Sequence, residues 1–362
     1  MRFGRTNINK YLVGEQRLNP AIAGDFSMLI SDVVRSCKAI SQVVSLGRLI
    51  PREGDVATVD RHGGSPTDMK DMARRIFLHH CEWGGHLAAI SPSEMETTMP
   101  PPEERKGRYL LLFDALDGSS NIDINLTVGS IFSVLRRPER EGEATVEDFL
   151  QAGSAQVAAG YALYGSSTIL VLTIGKGTHG FTLDREIGEF LLTHPYLAIP
   201  PETRYFAINT SRERFWEPPI QRYVQECLDG QAGIRGKDFD MRWAAAMVAN
   251  VHRILMRGGV FLNPRDSRDP DVPGRVGLLH KANPMAMLVE QAGGMASTGY
   301  GRVADIVPAR LHQPTPVILG SRAEIERIER YHAEYLSGED RPFSSPLFGT
   351  RSLFRADEGR EA

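Results

Sequence analysis

Residues Arg108–Asp123 read RYLLLFDALDGSSNID. A short apolar run, Tyr109–Phe113, leads straight into two aspartates three residues apart, and Gly-Ser-Ser follows at once. An apolar run of that length bounded by turn residues has the form of a buried strand. Asp114 then stands where the strand leaves its sheet, and Asp117 follows across a tight turn that Gly118 permits. With the Leu116 carbonyl between them, the two carboxylates make a hard-oxygen pocket of the kind that takes Mg²⁺ or Mn²⁺. Ser119 and Ser120 add hydroxyls and backbone N–H groups at a turn or helix start, which is an anion cradle. Metal beside an anion cradle points to phosphate chemistry, with the cation neutralising phosphoryl oxygens and activating a water. An ordinary Asp-Gly turn with a capping serine accounts for part of this string but not for all of it.

The rest of the chain sets limits on that reading. Its 362 residues, 41% hydrophobic and 24% charged, suffice for a sizeable core and two lobes around one interface. A net charge of −3 and a pI near 6.4 give no general attraction to nucleic acid or an anionic membrane. Cys37, Cys81 and Cys227 are odd in number and widely spaced, as free thiols in a reducing compartment would be. No stretch approaches 18 apolar residues and no signal peptide is visible, so a cytoplasmic location is expected.

Helical spacing of Met28, Ile30, Val33, Val34, Cys37, Ile40 and Val44 predicts one amphipathic helix over 25–49, starting at Gly24 and Asp25. Residues 51–66 read as loop, 68–81 as a second helix, and the proline-rich 92–106 as a surface connection. The stretches TVGSIFSVLRR and QVAAGYALYGSSTILVLTIG predict strands of one sheet, and Tyr205–Asn209 another strand. MRWAAAMVANVHRILMRGG reads as a helix from Met241 closed by Gly258 and Gly259, and NPMAMLVEQAGG as a further helix. Helices first and strands mixed with helices afterwards predict an α/β or α+β layered sandwich. HHCEWGGH (His79–His86) offers no second Cys/His cluster, which argues against zinc, and no thiol has the partners of a nucleophile.

DALDGSSNIDINLTVGSIFSV resembles the signature of class 1 fructose-1,6-bisphosphatases, within the Mg-dependent, Li-sensitive sugar and inositol phosphatases. The likeness continues in AAGYALYGSSTILVL, IGEFLLTHP, AMVANVHRILMRGGVFLNP, NPMAMLVEQAGGMASTG and QPTPVILGS, in the same order over roughly 20–335. It implies a five-layer α/β/α/β/α sandwich, a homotetramer, and hydrolysis of fructose 1,6-bisphosphate to fructose 6-phosphate, with sedoheptulose 1,7-bisphosphate as a further substrate. It divides the chain into a metal and phosphate-loop domain (1–195), a sugar-phosphate domain (196–337) and a tail (338–362).

Residue by residue, the resemblance gives Asp114, Asp117 and the Leu116 carbonyl to the metal, and Gly118, Ser119 and Ser120 to the scissile phosphate. Asn209 and Arg275 fall on binders of the far phosphate, and Arg242 on an arginine that reaches a neighbouring subunit's site. An inhibitory AMP site would use Gly24–Ser27, Arg108, Tyr109 and Arg136, although the same residues also make an ordinary helix start.

The other half of the site departs from the family. Of the usual Glu-Glu pair only Glu94 survives, within ISPSEMET, where it remains a metal and catalytic candidate. The family's metal-binding glutamate is Lys281, in KANPMA. An ammonium cannot ligate Mg²⁺, and beside one it adds repulsion of about 4 kcal/mol per unit-charge pair at an effective dielectric near 20. Asp68, Lys70 and Asp71 all lie near an upstream family aspartate, Trp243 and Asn263 replace two tyrosines, and Ala115 replaces a proline. A working sugar bisphosphatase therefore stands against a weak or inactive paralogue that binds sugar phosphates or regulates a true phosphatase. A phosphatase for inositol monophosphate or nucleotides is disfavoured by the long C-terminal likeness.

Overall fold

Seven strands follow one another in chain order across the first sheet. They are β1 (Leu87–Pro92), β2 (Tyr109–Asp117), β3 (Val128–Arg136), β4 (Ala158–Tyr164), β5 (Thr168–Thr173), β6 (Thr178–Asp184) and β7 (Glu189–Leu197). Neighbours are antiparallel except β1 and β2, which run parallel. The computed structural model describes residues 6–18, 24–49, 69–100, 107–268, 272 and 274–339. The loop expected over 51–66, Asp68, the end of the proline-rich connection and the tail from 340 lie outside the described residues.

The second sheet holds β8 (Tyr205–Ala207), β9 (Asp240–Met241), β10 (Val260–Asn263), β12 (Met295–Ser297) and β14 (Val317–Gly320) in the order β12-β14-β10-β8-β9. Two short strands, β11 (Val276–Gly277) and β13 (Pro314–Thr315), pair beside it. The helices are α1 (Ile8–Leu18), α2 (Gly24–Leu46), α3 (Met69–Cys81), α4 (Val146–Phe149), α5 (Pro218–Leu228), α6 (Met247–Arg257), α7 (Asn283–Gln291) and α8 (Arg322–Ser337).

Alternation along the strands sorts these helices into layers. Tyr109, Leu111 and Phe113 of β2, with Leu170 and Leu172 of β5, face a core shared with α1, α2 and α3. Ala159, Tyr161 and Val171 face the opposite way, into a core with α6 and α7 and with Phe261, Val317 and Leu319 of the second sheet. Val260, Leu262 and Ile318 turn outward onto α5 and α8. The result is the expected five-layer α/β/α/β/α sandwich, with α6 and α7 as the middle layer.

The helix expected from Met241 begins later: Met241 ends β9, and α6 starts at Met247. Asn250 explains the delay. Its Oδ1 accepts the Ala244 N–H at 3.1 Å and its Nδ2 donates to the Ala244 carbonyl at 2.7 Å, which holds the three alanines out of helical geometry. Just before α7, Leu278–Ala282 forms one π-helical turn, a local irregularity of the kind frequent at functional sites, and Lys281 lies within it.

Candidate active site

Because β1 runs parallel to β2, both strands end on the same side. Pro92 pairs with Phe113, and the Ser93 N–H donates to the Phe113 carbonyl at 2.8 Å. Ser93 and Glu94 are thereby delivered beside Asp114. The register of β2 against β3 slips between Asp114 and Asp117, which bulges the strand at the two aspartates. Gly118 takes φ +77°, and a Cβ there would lie 2.5 Å from the Ala246 Cβ. Only glycine serves at this position, both for its left-handed backbone and for the close approach of the second sheet's loop. Ser119–Asn121 then form a single 3-10 turn, closed by the Asn121 N–H on the Gly118 carbonyl at 2.8 Å. The N–H groups that open such a turn have no partner within it.

Asp114 is fully buried and Asp117 nearly so. The Lys281 Nζ lies 2.7 Å from Asp114 Oδ2 and 2.7 Å from Asp117 Oδ1, bridging the two carboxylates. It hydrogen-bonds Asp117 and forms an ion pair with Asp114. The remaining oxygens are also engaged: Asp114 Oδ1 accepts the Leu116 N–H at 3.3 Å, and Asp117 Oδ2 accepts the Val248 N–H at 2.9 Å. Asp117 thus caps α6 from the other sheet. Burial by itself would raise the Asp114 carboxyl, yet Lys281 and, farther off, Lys70 hold it below the ordinary carboxylate range. Burial would likewise lower Lys281, and the two aspartates instead push it above the ordinary lysine value. Asp114 and Lys281 are therefore both charged at neutral pH.

Glu94 meets a second lysine. The Lys70 Nζ of α3 lies 3.2 Å from Glu94 Oε1, which also accepts the Ser93 hydroxyl at 2.9 Å. Of the two described residues near the upstream aspartate position, Lys70 faces the site, while Asp71 turns to Arg74 and Arg75. Three carboxylates, Asp114, Asp117 and Glu94, thus face two ammonium groups, which leaves one negative charge.

That donor set does not fit a metal centre as it stands. Both aspartates hold Lys281, Glu94 holds Lys70, and no group of three or more His, Cys, Asp or Glu side chains among the described residues could hold a metal ion.

Two histidines that the sequence reading missed brace this arrangement. His280 Nε2 lies 2.9 Å from the Ser91 Oγ, and its ring stacks on His312 at 5.3 Å and 7°. His312 Nε2 lies 2.7 Å from the Met95 carbonyl. The pair ties the turn carrying Lys281 to the segment carrying Glu94. Burial pushes the His280 imidazole down to about 4, so it is neutral here.

A second region lies on the other sheet. Ile208, Asn209, Arg212, Trp243, Asn263 and Arg275 are among the residues that line a cavity of about 180 Å³. Asp266 gathers three arginines there: Arg268 at 2.6 Å, Arg275 at 3.6 Å and Arg212 at 3.8 Å. Burial and the neighbouring Arg275 and Arg268 lower Arg212, the mark of a locally cationic pocket. Asn209 and Arg275 are brought together as expected, whereas Arg212 and Asp266 were not foreseen. Arg242 is not brought to the cavity within this chain; it is half exposed and pairs with Asp240 at 3.2 Å. The residues matched to an AMP site do gather: Asp25 pairs with Arg108 at 3.5 Å, Phe26 packs edge-on to Tyr109, and Arg136 covers that ring at 5.9 Å.

Comparison with known proteins gives a consistent result. The family model for the fructose-1-6-bisphosphatase N-terminal domain matches residues 6–195, and that for the C-terminal domain residues 199–333. The class 1 fructose-1,6-bisphosphatase of Hydrogenophilus thermoluteolus is 54% identical over 350 residues, 96% of this chain and 97% of the relative. That of Methylacidiphilum infernorum is 53% identical over 98% of this chain and 99% of its own. The crystal structure of Leishmania major fructose-1,6-bisphosphatase in holo form superposes with a TM-score of 0.80 at 35% identity, over 90% of this chain and 98% of that one. Its T-state structure gives the same TM-score of 0.80. With both family models matched and relatives above half identity along nearly the whole length, the chain belongs to the class 1 fructose-1,6-bisphosphatase family.

Proposed function

We propose that this chain hydrolyses the 1-phosphate of fructose 1,6-bisphosphate, and also accepts sedoheptulose 1,7-bisphosphate, at the end of β2. The carrying observation is how near the two anion-facing regions lie. Trp243 lines the arginine cavity, and Ala246, three residues on, packs against Gly118 of the phosphate loop. Three residues span no more than about 11 Å even when fully extended. One sugar carrying a phosphate at each end suits that spacing, whereas a monophosphate leaves one region unused.

In this reading Gly118, Ser119 and Ser120 receive the scissile phosphate, while Asn209, Arg212 and Arg275 hold the far one. Glu94, at the open edge of the site, takes the proton of the attacking water as the bond from phosphorus to the sugar oxygen breaks, and solvent reprotonates the departing oxygen. Asp114 and Asp117 fix Lys281 beneath the phosphate. Metal dependence belongs to the family, and Asp114, Asp117, Glu94 and the Leu116 carbonyl are oxygen donors of the type that Mg²⁺ or Mn²⁺ takes, but in this chain they do not fit a metal as they stand. No step is routed through that ion, because Lys281 and Lys70 hold those donors.

The family reading extends to a 1–195 and 196–337 division, a cytoplasmic homotetramer in which Arg242 completes a neighbour's site, and inhibition by AMP at the Asp25–Arg108 cluster. Supporting it are three free, buried cysteines and the absence, among the described residues, of any helix long and apolar enough to cross a membrane. The test is phosphate release from fructose 1,6-bisphosphate beside inositol monophosphate and AMP. A strong preference for the bisphosphate, lost in Arg212→Ala, is expected; equal turnover of all three would end the proposal.

A further inference from the structure

We infer that this chain holds the scissile phosphate with two lysine ammonium groups, Lys281 and Lys70, in the place its family gives to divalent cations, so that sugar-phosphate binding is independent of metal. The inference rests on the bisphosphate reading above and adds the means by which the charge of the phosphate is met.

The first ground is placement. A single ammonium equidistant, at 2.7 Å, from one oxygen of each buried aspartate occupies the point where two anionic donors converge. It is set there by the fold: Lys281 comes from a π-helical turn between β11 and α7, and its neighbour His280 is pinned to Ser91 at 2.9 Å. The second ground is recurrence. Lys70 comes from a different element, α3, which packs on β2 through the stacked Phe77 and Phe113 rings at 4.5 Å, and it meets the third carboxylate, Glu94, at 3.2 Å. Two lysines on unrelated segments therefore offset two of the three negative charges that would otherwise demand a cation.

The third ground is accessibility. The aspartate side chains are 0% and 6% exposed, whereas Lys281 is 29% exposed above them. The group offered to a ligand is thus the cation. An ammonium carries three N–H donors and no acceptor, so with one hydrogen bond to Asp117 and an ion pair to Asp114 it keeps a donor for a phosphate oxygen. A divalent ion entering between the same carboxylates would meet a fixed like charge within contact distance. A lysine steadies charge on a phosphoryl group but does not ionise a coordinated water. Turnover should accordingly be slow and its Mg²⁺ dependence shallow.

Titration calorimetry of the full chain, with fructose 1,6-bisphosphate and with inorganic phosphate, each in EDTA and in saturating Mg²⁺, decides the matter. The parent should bind both ligands in EDTA with affinities within about threefold of those in Mg²⁺. Lys281→Met should lose about tenfold or more in EDTA, and Lys281→Arg should keep most of the binding. Lys281→Glu should bind only when Mg²⁺ is present. Loss of parent binding in EDTA overturns the inference, as does a folded Lys281→Met that binds like the parent. If the variants do not fold, the parent's own comparison of EDTA with Mg²⁺ still decides. Failure of the bisphosphate reading has a separate signature: fructose 1,6-bisphosphate then binds no tighter than phosphate and is indifferent to Arg275→Ala, while the phosphate arm still tests the lysines.

Discussion

At the end of β2 three carboxylates face two ammonium groups, whereas in the cavity of the second sheet one carboxylate, Asp266, faces three guanidinium groups. The two aspartates of the first region are buried, and their partners come from far along the chain: Lys281 and Val248 lie 164 and 131 residues from the Asp117 they bond. The second is assembled from nearer segments, and its arginines are more open, with side-chain exposures of 34% for Arg212 and 41% for Arg275. A charge removed from the first region is left uncompensated in a dry place, and so folding suffers along with function. A charge removed from the second is replaced by water, and binding alone suffers. The two regions should therefore answer mutation differently.

The sharpest break is Asp117→Asn. It removes half of the Lys281 bridge and weakens the cap on α6, so unfolding in urea should show a loss of about 2–4 kcal/mol together with collapse of phosphate release. Although the substitution keeps the shape of the side chain, the buried double role of Asp117 makes it costly to the fold. An unchanged urea midpoint would mean that the Lys281 bridge contributes little.

Gly118→Ala comes next, at about 1–3 kcal/mol, from a positive φ and a Cβ driven onto Ala246. Adding Ala246→Gly should return the part due to overlap and leave the part due to backbone conformation. Equal melting curves for the single and double variants would show that the two sheets can separate at this point.

A pH series sets a reference outside both regions. His252 of α6 has its Nδ1 2.8 Å from the Tyr161 hydroxyl, and burial, helped by His194, lowers it to about 4. Its folded value lies below the unfolded one near 6.5, so its contribution is full above about pH 6.5 and is lost as pH falls toward 4. Discounted for partial exposure, that loss is on the order of 2 kcal/mol. Asp114 and Asp266, both held below the ordinary value, keep their contributions until the pH drops below about 4. His252→Gln should remove its own share of the loss between pH 6.5 and 4 and leave the share of His280, which burial also lowers to about 4. A slope unchanged by the substitution would mean that His252 contributes none of the acid sensitivity.

What could be read in advance follows the same division. The strand and turn of Arg108–Asp123 were legible because apolar run, aspartates and Gly-Ser-Ser are contiguous. The five layers came through resemblance, since alternation along single strands does not say which sheet a face meets. The role of Lys281 was legible only as a conflict: the motif marked its position, but nothing local shows that its ammonium bridges Asp114 and Asp117. Lys70 and Asp71 could not be told apart in the sequence, and the helix separates them by placing Lys70 on Glu94 and Asp71 against Arg74 and Arg75. Arg212, Asp266, His280 and His312 carried no signal, because each acts through a partner brought by the fold. The start of α6 was misread because Asn250 overrides the helical preference of three alanines.

The smallest expected effect belongs to Arg275. Its guanidinium stands 3.6 Å from Asp266, which keeps Arg212 and Arg268 when Arg275 is truncated, so no buried charge is stranded. In the proposed reading Arg275 holds the far phosphate, which does not change bonding during hydrolysis, so its contacts serve the bound substrate and the transition state alike. Arg275→Ala should therefore raise KM about tenfold, equivalent to about 1.4 kcal/mol, with kcat held within about twofold and the melting temperature nearly unchanged. Arg275→Lys keeps the charge but loses the planar fork, and should fall between parent and alanine. Steady-state kinetics with fructose 1,6-bisphosphate read all three. Were kcat to fall as far as kcat/KM, Arg275 would be acting only in the transition state, and the separation between a region that folds around its charges and a region that merely binds would not survive.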